Sequence, residues 1–74
     1  MKPTPTELHD RFTYHPPSPK GVERHAELST RFTELATACA MLCPDGRELS
    51  LVFTKLEEAK MWASAAVARN PESR

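Results

Sequence analysis

Hydrophobic residues recur at helical spacing along two long stretches of the chain. The first stretch covers residues 22–43 and is free of proline and glycine until Pro44 ends it. Its apolar side chains return every three or four residues, at Leu28, Phe32, Leu35, Cys39 and Leu42. This recurrence places them on one side of an α-helix. The pattern therefore predicts a long amphipathic helix over 22–43.

The second stretch, 47–70, has the same periodicity and ends at Pro71. Its main apolar stripe consists of Leu49, Val52, Leu56, Ala59, Ala63 and Ala66. The preceding Pro44-Asp45-Gly46 is a typical turn sequence, and Asp45 is a plausible N-cap with Glu48 as its capping-box partner. Two long helices joined by so short a turn are expected to lie antiparallel, as a hairpin.

The N-terminal segment, 1–21, has a different character. Thr6 is a fair N-cap for a short helix in which Leu8 and Phe12 share one face. Residues 15–21 contain three prolines and a glycine and predict an extended connector. The sequence thus predicts an all-α fold, an antiparallel hairpin of two long helices with a short N-terminal helical segment.

A chain of 74 residues forms a single domain, 1–74, and has little interior of its own. A domain this small buries only ~60% of the surface that its unfolded chain exposes. Both long helices also carry apolar residues outside their main stripes, among them Met41, Leu51, Met61 and Trp62. We therefore expect the hairpin to assemble as an oligomer. A second interpretation, which is compatible with an oligomer, is that the N-terminal segment folds back and covers Trp62.

Composition excludes several classes of function. Ten basic residues balance ten acidic ones, whereas a protein that binds a DNA or RNA duplex normally has a basic excess. No apolar run approaches the ~20 residues of a membrane span, and the polar start does not resemble a signal peptide. We therefore expect no membrane and no duplex partner, and a cytoplasmic location.

Catalytic and metal-binding signatures are missing from the sequence. It has no glycine-rich phosphate loop and no nucleophile or zinc-hydrolase motif. Cys39 and Cys43 are four residues apart, a spacing that favours two buried thiols over a metal or redox pair. The three histidines, His9, His15 and His25, lie on separate segments. We expect no catalytic residue, no metal and no cofactor.

A cluster of aromatic and basic residues precedes the prolines, at 11–15. The nearby Pro16-Pro17 pair restricts the backbone and holds the ring of Tyr14 between two segments. A tyrosine in this position can stack on a planar base, while a basic neighbour such as Arg11 pairs with phosphate. In the competing interpretation, Phe12 and Tyr14 close the core at the end of the hairpin.

Three stretches together, 11–17, 42–48 and 54–63 running into 68–70, resemble a family of small proteins of tailed phages. Its members are anti-CBASS sponges, which sequester the cyclic oligonucleotide messengers of bacterial immunity. The resemblance implies a hexamer of helical subunits with interlocked N-terminal segments. It also implies tight binding of cyclic dinucleotides such as cGAMP, and in some members of cyclic trinucleotides, without cleavage.

The resemblance also assigns roles to single residues. It implies that Tyr14 stacks on a base of the cyclic dinucleotide. It implies that Arg69, helped by Thr30, faces a phosphate of a cyclic trinucleotide in a separate pocket. The family places a basic residue early in the first long helix. Arg24 and Arg31 flank that position here, and Arg31 is the better candidate.

The leading hypothesis is thus a ligand-sequestering protein that acts in the cytoplasm of the infected bacterial host. The runner-up is a helical adaptor or inhibitor that binds another protein through its exposed apolar face. An RNA or DNA binder is disfavoured by the charge balance, and an enzyme by the missing motifs.

Overall fold

The protein is an all-α hairpin, as the periodicity predicts. The computed structural model describes residues 2–14 and 16–73. Its helices are α1 (Pro5–Phe12), α2 (Pro19–Leu42) and α3 (Arg47–Arg69), followed by a short 3₁₀ turn at Pro71–Ser73. The long helices α2 and α3 pack against each other, and the molecule measures 48 × 32 × 15 Å. It is therefore a thin layer of helices rather than a globule.

The helix α2 begins earlier than the sequence predicts, at Pro19 instead of residue 22. The Ser18 side chain is the N-cap and accepts a hydrogen bond from the Gly21 N–H at 3.2 Å. Proline is suited to the first helical position, because the N–H that it lacks has no partner inside the helix. The prediction of an extended connector up to Gly21 is therefore wrong for residues 19–21.

The caps of the other helices also differ from those expected. α1 is capped by Thr4 rather than Thr6, because Thr4 and Glu7 form a complete capping box with bonds of 3.1 and 3.3 Å. α3 is preceded by Gly46, not Asp45, as its N-cap. Gly46 has a φ of +150°, a conformation that side-chain-bearing residues rarely adopt, and this glycine lets the chain reverse.

The seam between α2 and α3 uses only part of each predicted stripe. On α2 the half-buried apolar residues are Leu28, Phe32, Ala36, Ala38 and Cys39, whereas Leu35 and Leu42 are exposed. On α3 the half-buried positions that follow one row are Leu49, Phe53, Leu56, Lys60, Ala63 and Val67. Ala59 and Ala66 lie outside this row and are exposed. The apolar arc of each helix is therefore wider than one neighbouring helix can cover.

No hydrophobic side chain among the described residues is fully buried. Met41 and Leu42 are at least 80% exposed, and Met61 and Trp62 are 71% and 63% exposed. The exposure of Trp62 shows that the N-terminal segment does not fold back over it, so that alternative is wrong. The accessible surface is 6055 Å², against about 4,600 Å² expected for a compact monomer of this mass.

The C-terminal tail, which we define as residues 70–73, turns back onto the start of α2. The Glu72 carbonyl accepts a hydrogen bond from the Ser18 hydroxyl at 3.2 Å. The Glu72 carboxylate lies 3.7 Å from Lys20 Nζ and 3.6 Å from Arg24 Nη2. The first turn of α2 contains no acidic residue, so Glu72 supplies the negative charge that a helix N-terminus favours.

Replacing Glu72 with alanine is expected to lower the melting temperature by about 2–5 °C. The loss removes two ion pairs of an exposed carboxylate and a helix-terminal charge, which together contribute about 0.5–1 kcal/mol because solvent screens them. Thermal unfolding followed by circular dichroism measures the change. The matched control is Glu57→Ala, which removes the same charge from the middle of α3. Equal melting temperatures for the Glu72 variant and the wild type would contradict a stabilising role for the tail.

Candidate functional site

A cavity of about 300 Å³ lies at the open end of the hairpin, opposite the turn. Four parts of the chain form it: the end of α1, the start of α2, the end of α3, and the stretch 13–18 that joins α1 to α2, which we call the proline segment. The residues that line it are Asp10, Arg11, Thr13, Tyr14, Pro17, His25, Ala65, Ala68 and Arg69. The structure therefore brings together three residues that the sequence singled out, although they span 59 positions of the chain from Arg11 to Arg69.

Tyr14 is held at the cavity by its place between a helix end and the prolines. α1 ends at Phe12, and Thr13 is extended and donates its N–H to the His9 carbonyl at 2.9 Å. Tyr14 is 79% exposed and Phe12 is 85% exposed. The interpretation of these two rings as a cap on the core is therefore wrong for the single chain, and the Tyr14 ring face is accessible to a ligand.

Two arginines line the cavity together with Tyr14. Arg11 belongs to the last turn of α1 and Arg69 to the last turn of α3, where a cation favourably faces the negative end of the helix dipole. Guanidinium groups pair well with phosphate because their planar N–H donors match its oxygens. Asp10 adds one carboxylate to the lining. The cavity thus combines an aromatic ring with two arginines, an arrangement that fits a planar, anionic ligand.

Two of the residues that line the cavity have small side chains. Ala65 and Ala68, together with Arg69, form the part of its wall that belongs to α3. In the sequence, the alanine-rich end of this helix indicates close helix packing. The structure shows that these two alanines also leave space between α3 and the N-terminal segment.

Thr30 and Arg31, which are also predicted as ligand residues, do not line this cavity. Both are exposed on α2, beyond the residues that line the cavity. The Arg31 guanidinium pairs with Glu27 at 2.9 Å and with Glu34 at 3.5 Å on the same helix. The single chain therefore does not bring Thr30 or Arg31 to Tyr14, and their ligand roles stay predictions. Arg24, the other candidate for the early basic position, faces Glu72 instead.

His25 is the cavity residue that the sequence interpretation missed. It is half-buried, and it is the residue through which α2 lines the cavity within the described part of the chain. A signal was available, because His25 stands four residues after Gly21 and three before Leu28, on the row that faces α3. A histidine at a seam position faces the same groove as its apolar neighbours.

A second cavity, of about 230 Å³, lies midway along the hairpin. It is lined by Phe32, Thr33, Ala36, Phe53, Leu56, Glu57 and Lys60. Its single cation is matched by a carboxylate, and its walls are mainly apolar. The cavity at the open end, with its two arginines, is therefore the better site for an anionic ligand.

The described residues contain no cluster of three or more histidine, cysteine or acidic side chains that could hold a metal ion. Cys39 is a half-buried and Cys43 an exposed free thiol, so the expectation of two fully buried thiols is wrong in the single chain. None of the helices in residues 2–14 and 16–73 has the length and hydropathy that a membrane span requires.

Comparison with protein-family models gives a match to the Acb2/Tad1 hairpin domain over residues 4–68. The match includes α1, the whole of α2 and all but the last residue of α3. It therefore covers the hairpin together with Arg11, Tyr14 and His25, and ends one residue before Arg69. Comparisons with curated proteins and with solved structures found no significant match.

Proposed function

The chain belongs to the Acb2/Tad1 hairpin family, and from this membership we propose that it sequesters cyclic oligonucleotide messengers and so blocks CBASS immunity. The proposed ligands are cyclic dinucleotides such as cGAMP, and cyclic trinucleotides as a second class. The protein acts on them in the cytoplasm of the infected bacterial host. The observation that carries the proposal is the cavity that joins Tyr14 to Arg11 and Arg69.

The cavity offers the two interactions that such a ligand needs. An accessible tyrosine ring stacks on a nucleobase, and stacking tolerates different bases because each has a π-face. The arginines pair with the phosphodiester groups. A net charge of zero over the whole chain suits a ligand with two or three phosphates, because two local cations suffice to bind it.

We further propose that the ligand leaves the protein unchanged. Cleavage of a phosphodiester needs a nucleophile activated by a base, or a metal ion that activates water. The sequence carries no motif for either mechanism. The amount of messenger that the protein withholds is therefore set by the number of its binding sites. Each bound messenger is kept from its receptor for as long as the complex lasts.

The proposal includes assembly into an oligomer, with a hexamer as the expected form. The chain exposes roughly 1,500 Å² more surface than a compact monomer of its mass. This excess exceeds the ~800 Å² that each partner buries in a standard interface. In an oligomer, a neighbouring subunit can bring Thr30 and Arg31 to a ligand, although they lie outside the cavity of their own chain.

Native mass spectrometry with and without cGAMP tests the proposal most directly. The expected result is an oligomer that gains the mass of intact cGAMP. Chromatography of the ligand released by denaturation then shows whether it is chemically unchanged. Absence of binding to any cyclic di- or trinucleotide would contradict the proposal, and recovery of linear products would contradict sequestration without cleavage.

The exposed apolar residues support one alternative, a helical adaptor or inhibitor that binds another protein. Met41, Leu42, Met61 and Trp62 are the residues that favour it. The same mass spectra distinguish the two functions. A protein that stays monomeric and ligand-free, but forms a complex of defined stoichiometry with another protein, would support the adaptor.

Arg69→Ala tests whether cyclic dinucleotides and cyclic trinucleotides bind in the same cavity. The family resemblance assigns Arg69 to a trinucleotide pocket, whereas the single chain places it in the same cavity as Tyr14. Because Arg69 shares this cavity with Tyr14, the variant is expected to lose roughly tenfold or more in affinity for cGAMP through the lost phosphate contact. The family resemblance taken alone predicts this loss for a cyclic trinucleotide and an unchanged affinity for cGAMP. Isothermal titration calorimetry with both ligands measures this.

Lys55→Ala is the matched control for Arg69→Ala, because it removes a cation from α3 far from the cavity. Equal losses for cGAMP and the trinucleotide in the Arg69 variant would contradict separate pockets. They would show instead that the cavity at the open end serves both ligands.

A further inference from the structure

We propose that His25 is a direct ligand contact in the cavity at the open end, and that it couples ligand binding to the uptake of a proton. The proposal rests on the proposed function, since it requires an anionic ligand in this cavity. It concerns a residue that neither the sequence pattern nor the family resemblance singled out.

The position of His25 carries the proposal. The cavity lies between α1, the proline segment, α2 and α3, and α2 contributes His25 to its described lining. Arg11 and Tyr14 come from the N-terminal side, and Arg69 comes from α3. His25 lines the same cavity of about 300 Å³, so a ligand that occupies it lies beside the His25 side chain.

The charged and titratable groups that line the cavity together with His25 come from three parts of the chain. α1 contributes Asp10 and Arg11, the proline segment contributes Tyr14, and α3 contributes Arg69. On α2 itself, the residues three and four positions away on either side are Gly21, Val22, Leu28 and Ser29, which are uncharged. The nearer charged residues of α2 line a separate groove with Leu28 and Val67, and they are Glu23, Arg24 and Glu27.

An anionic ligand changes the balance of charge around the imidazole. A neutral imidazole has one N–H donor, whereas the protonated ring has two donors and a positive charge. A phosphate brought close to it favours the protonated form, so binding takes up a proton. Among the side-chain types that line the cavity, histidine is the one that ordinarily changes charge between pH 6 and pH 8. Affinity is therefore expected to rise as the pH falls through this range.

Isothermal titration calorimetry with cGAMP at pH 6 and pH 8, at constant ionic strength, tests the inference. Wild-type affinity is expected to be several-fold higher at pH 6. In His25→Gln, which keeps a polar side chain but cannot become charged, affinity is expected to fall at pH 6 and to lose this dependence on pH. Titrations in two buffers of different ionisation enthalpy measure the proton uptake directly.

The other two histidines provide the matched control. His9 does not line the cavity, and His15 lies outside the described residues. In a His9→Gln, His15→Gln double variant, His25 is the one remaining histidine of three. Proton uptake and pH dependence are expected to persist there. This measurement tests the inference even where His25→Gln does not fold.

Two results would overturn the inference while leaving the proposed function intact. One is a folded His25→Gln variant that binds cGAMP as the wild type does at both pH values. The other is loss of proton uptake in the double variant that retains His25. A wild-type protein that binds no cyclic oligonucleotide at either pH would overturn the proposed function itself, and the inference with it.

Discussion

Tyr14→Ala is expected to weaken the binding of cyclic dinucleotides by roughly ten- to a hundredfold while the protein stays folded. The exposed ring is the only phenylalanine, tyrosine or tryptophan side chain in the described lining of the cavity at the open end. Loss of stacking between an aromatic side chain and a base costs about 1–3 kcal/mol, which corresponds to this loss of affinity. Isothermal titration calorimetry with cGAMP measures the change.

The matched control for this prediction is Tyr14→Phe, which keeps the ring face and removes the hydroxyl. It is expected to lose much less affinity, because the ring face provides most of the stacking. Circular dichroism checks that both variants keep their helices. A Tyr14→Ala variant with wild-type affinity would remove Tyr14 from the site, and a Tyr14→Phe variant as weak as Tyr14→Ala would show that the hydroxyl, rather than the ring, makes the contact.

Trp62→Glu is expected to dissociate the proposed oligomer into subunits and to abolish cooperative thermal unfolding. The side chain is 63% exposed in the single chain, so a charge there costs little in an isolated subunit. At a subunit interface, the variant loses the burial of an indole and places an unpaired carboxylate among apolar groups, at a cost of several kcal/mol. This is comparable with the whole stability of a small domain.

Light scattering coupled to size-exclusion chromatography measures the change in mass. Trp62→Phe is the matched control, because it keeps an aromatic ring and is expected to retain the wild-type mass. A Trp62→Glu variant with unchanged mass and melting temperature would place Trp62 outside any interface. The same residue would then be available to a different protein, as the adaptor hypothesis requires.

The two predictions are linked by the thinness of the molecule. A single layer of helices has no deep interior, and its cavity opens at the edge where the N-terminal segment meets the hairpin. Subunit interfaces can enclose a ligand that one such layer leaves exposed. A variant that dissociates the oligomer is therefore expected to weaken ligand binding as well, even though Trp62 does not line the cavity.

The amino-acid sequence was sufficient to predict the helices, the hairpin and some of the residues that line the cavity at the open end. Helical periodicity and the turn at residues 44–46 act within a few residues, and local interactions of this kind can be read from one chain. Tyr14 and Arg11 could be singled out as candidate ligand residues for a similar reason, because they are near neighbours in an aromatic and basic cluster. The family resemblance then pointed to Arg69 as a further ligand residue.

Only the tertiary structure decided which residues meet across the chain. Leu35 and Leu42 belong to the apolar stripe of α2, yet α3 covers only one side of that stripe and leaves both residues exposed. Glu72 accepts a hydrogen bond from Ser18 at the start of α2, although the two residues are 54 positions apart. His25 lines the same cavity as Tyr14 and Arg69. Periodicity predicts the direction in which a side chain points from its own helix. Which residues that side chain contacts depends on how the helices pack against each other.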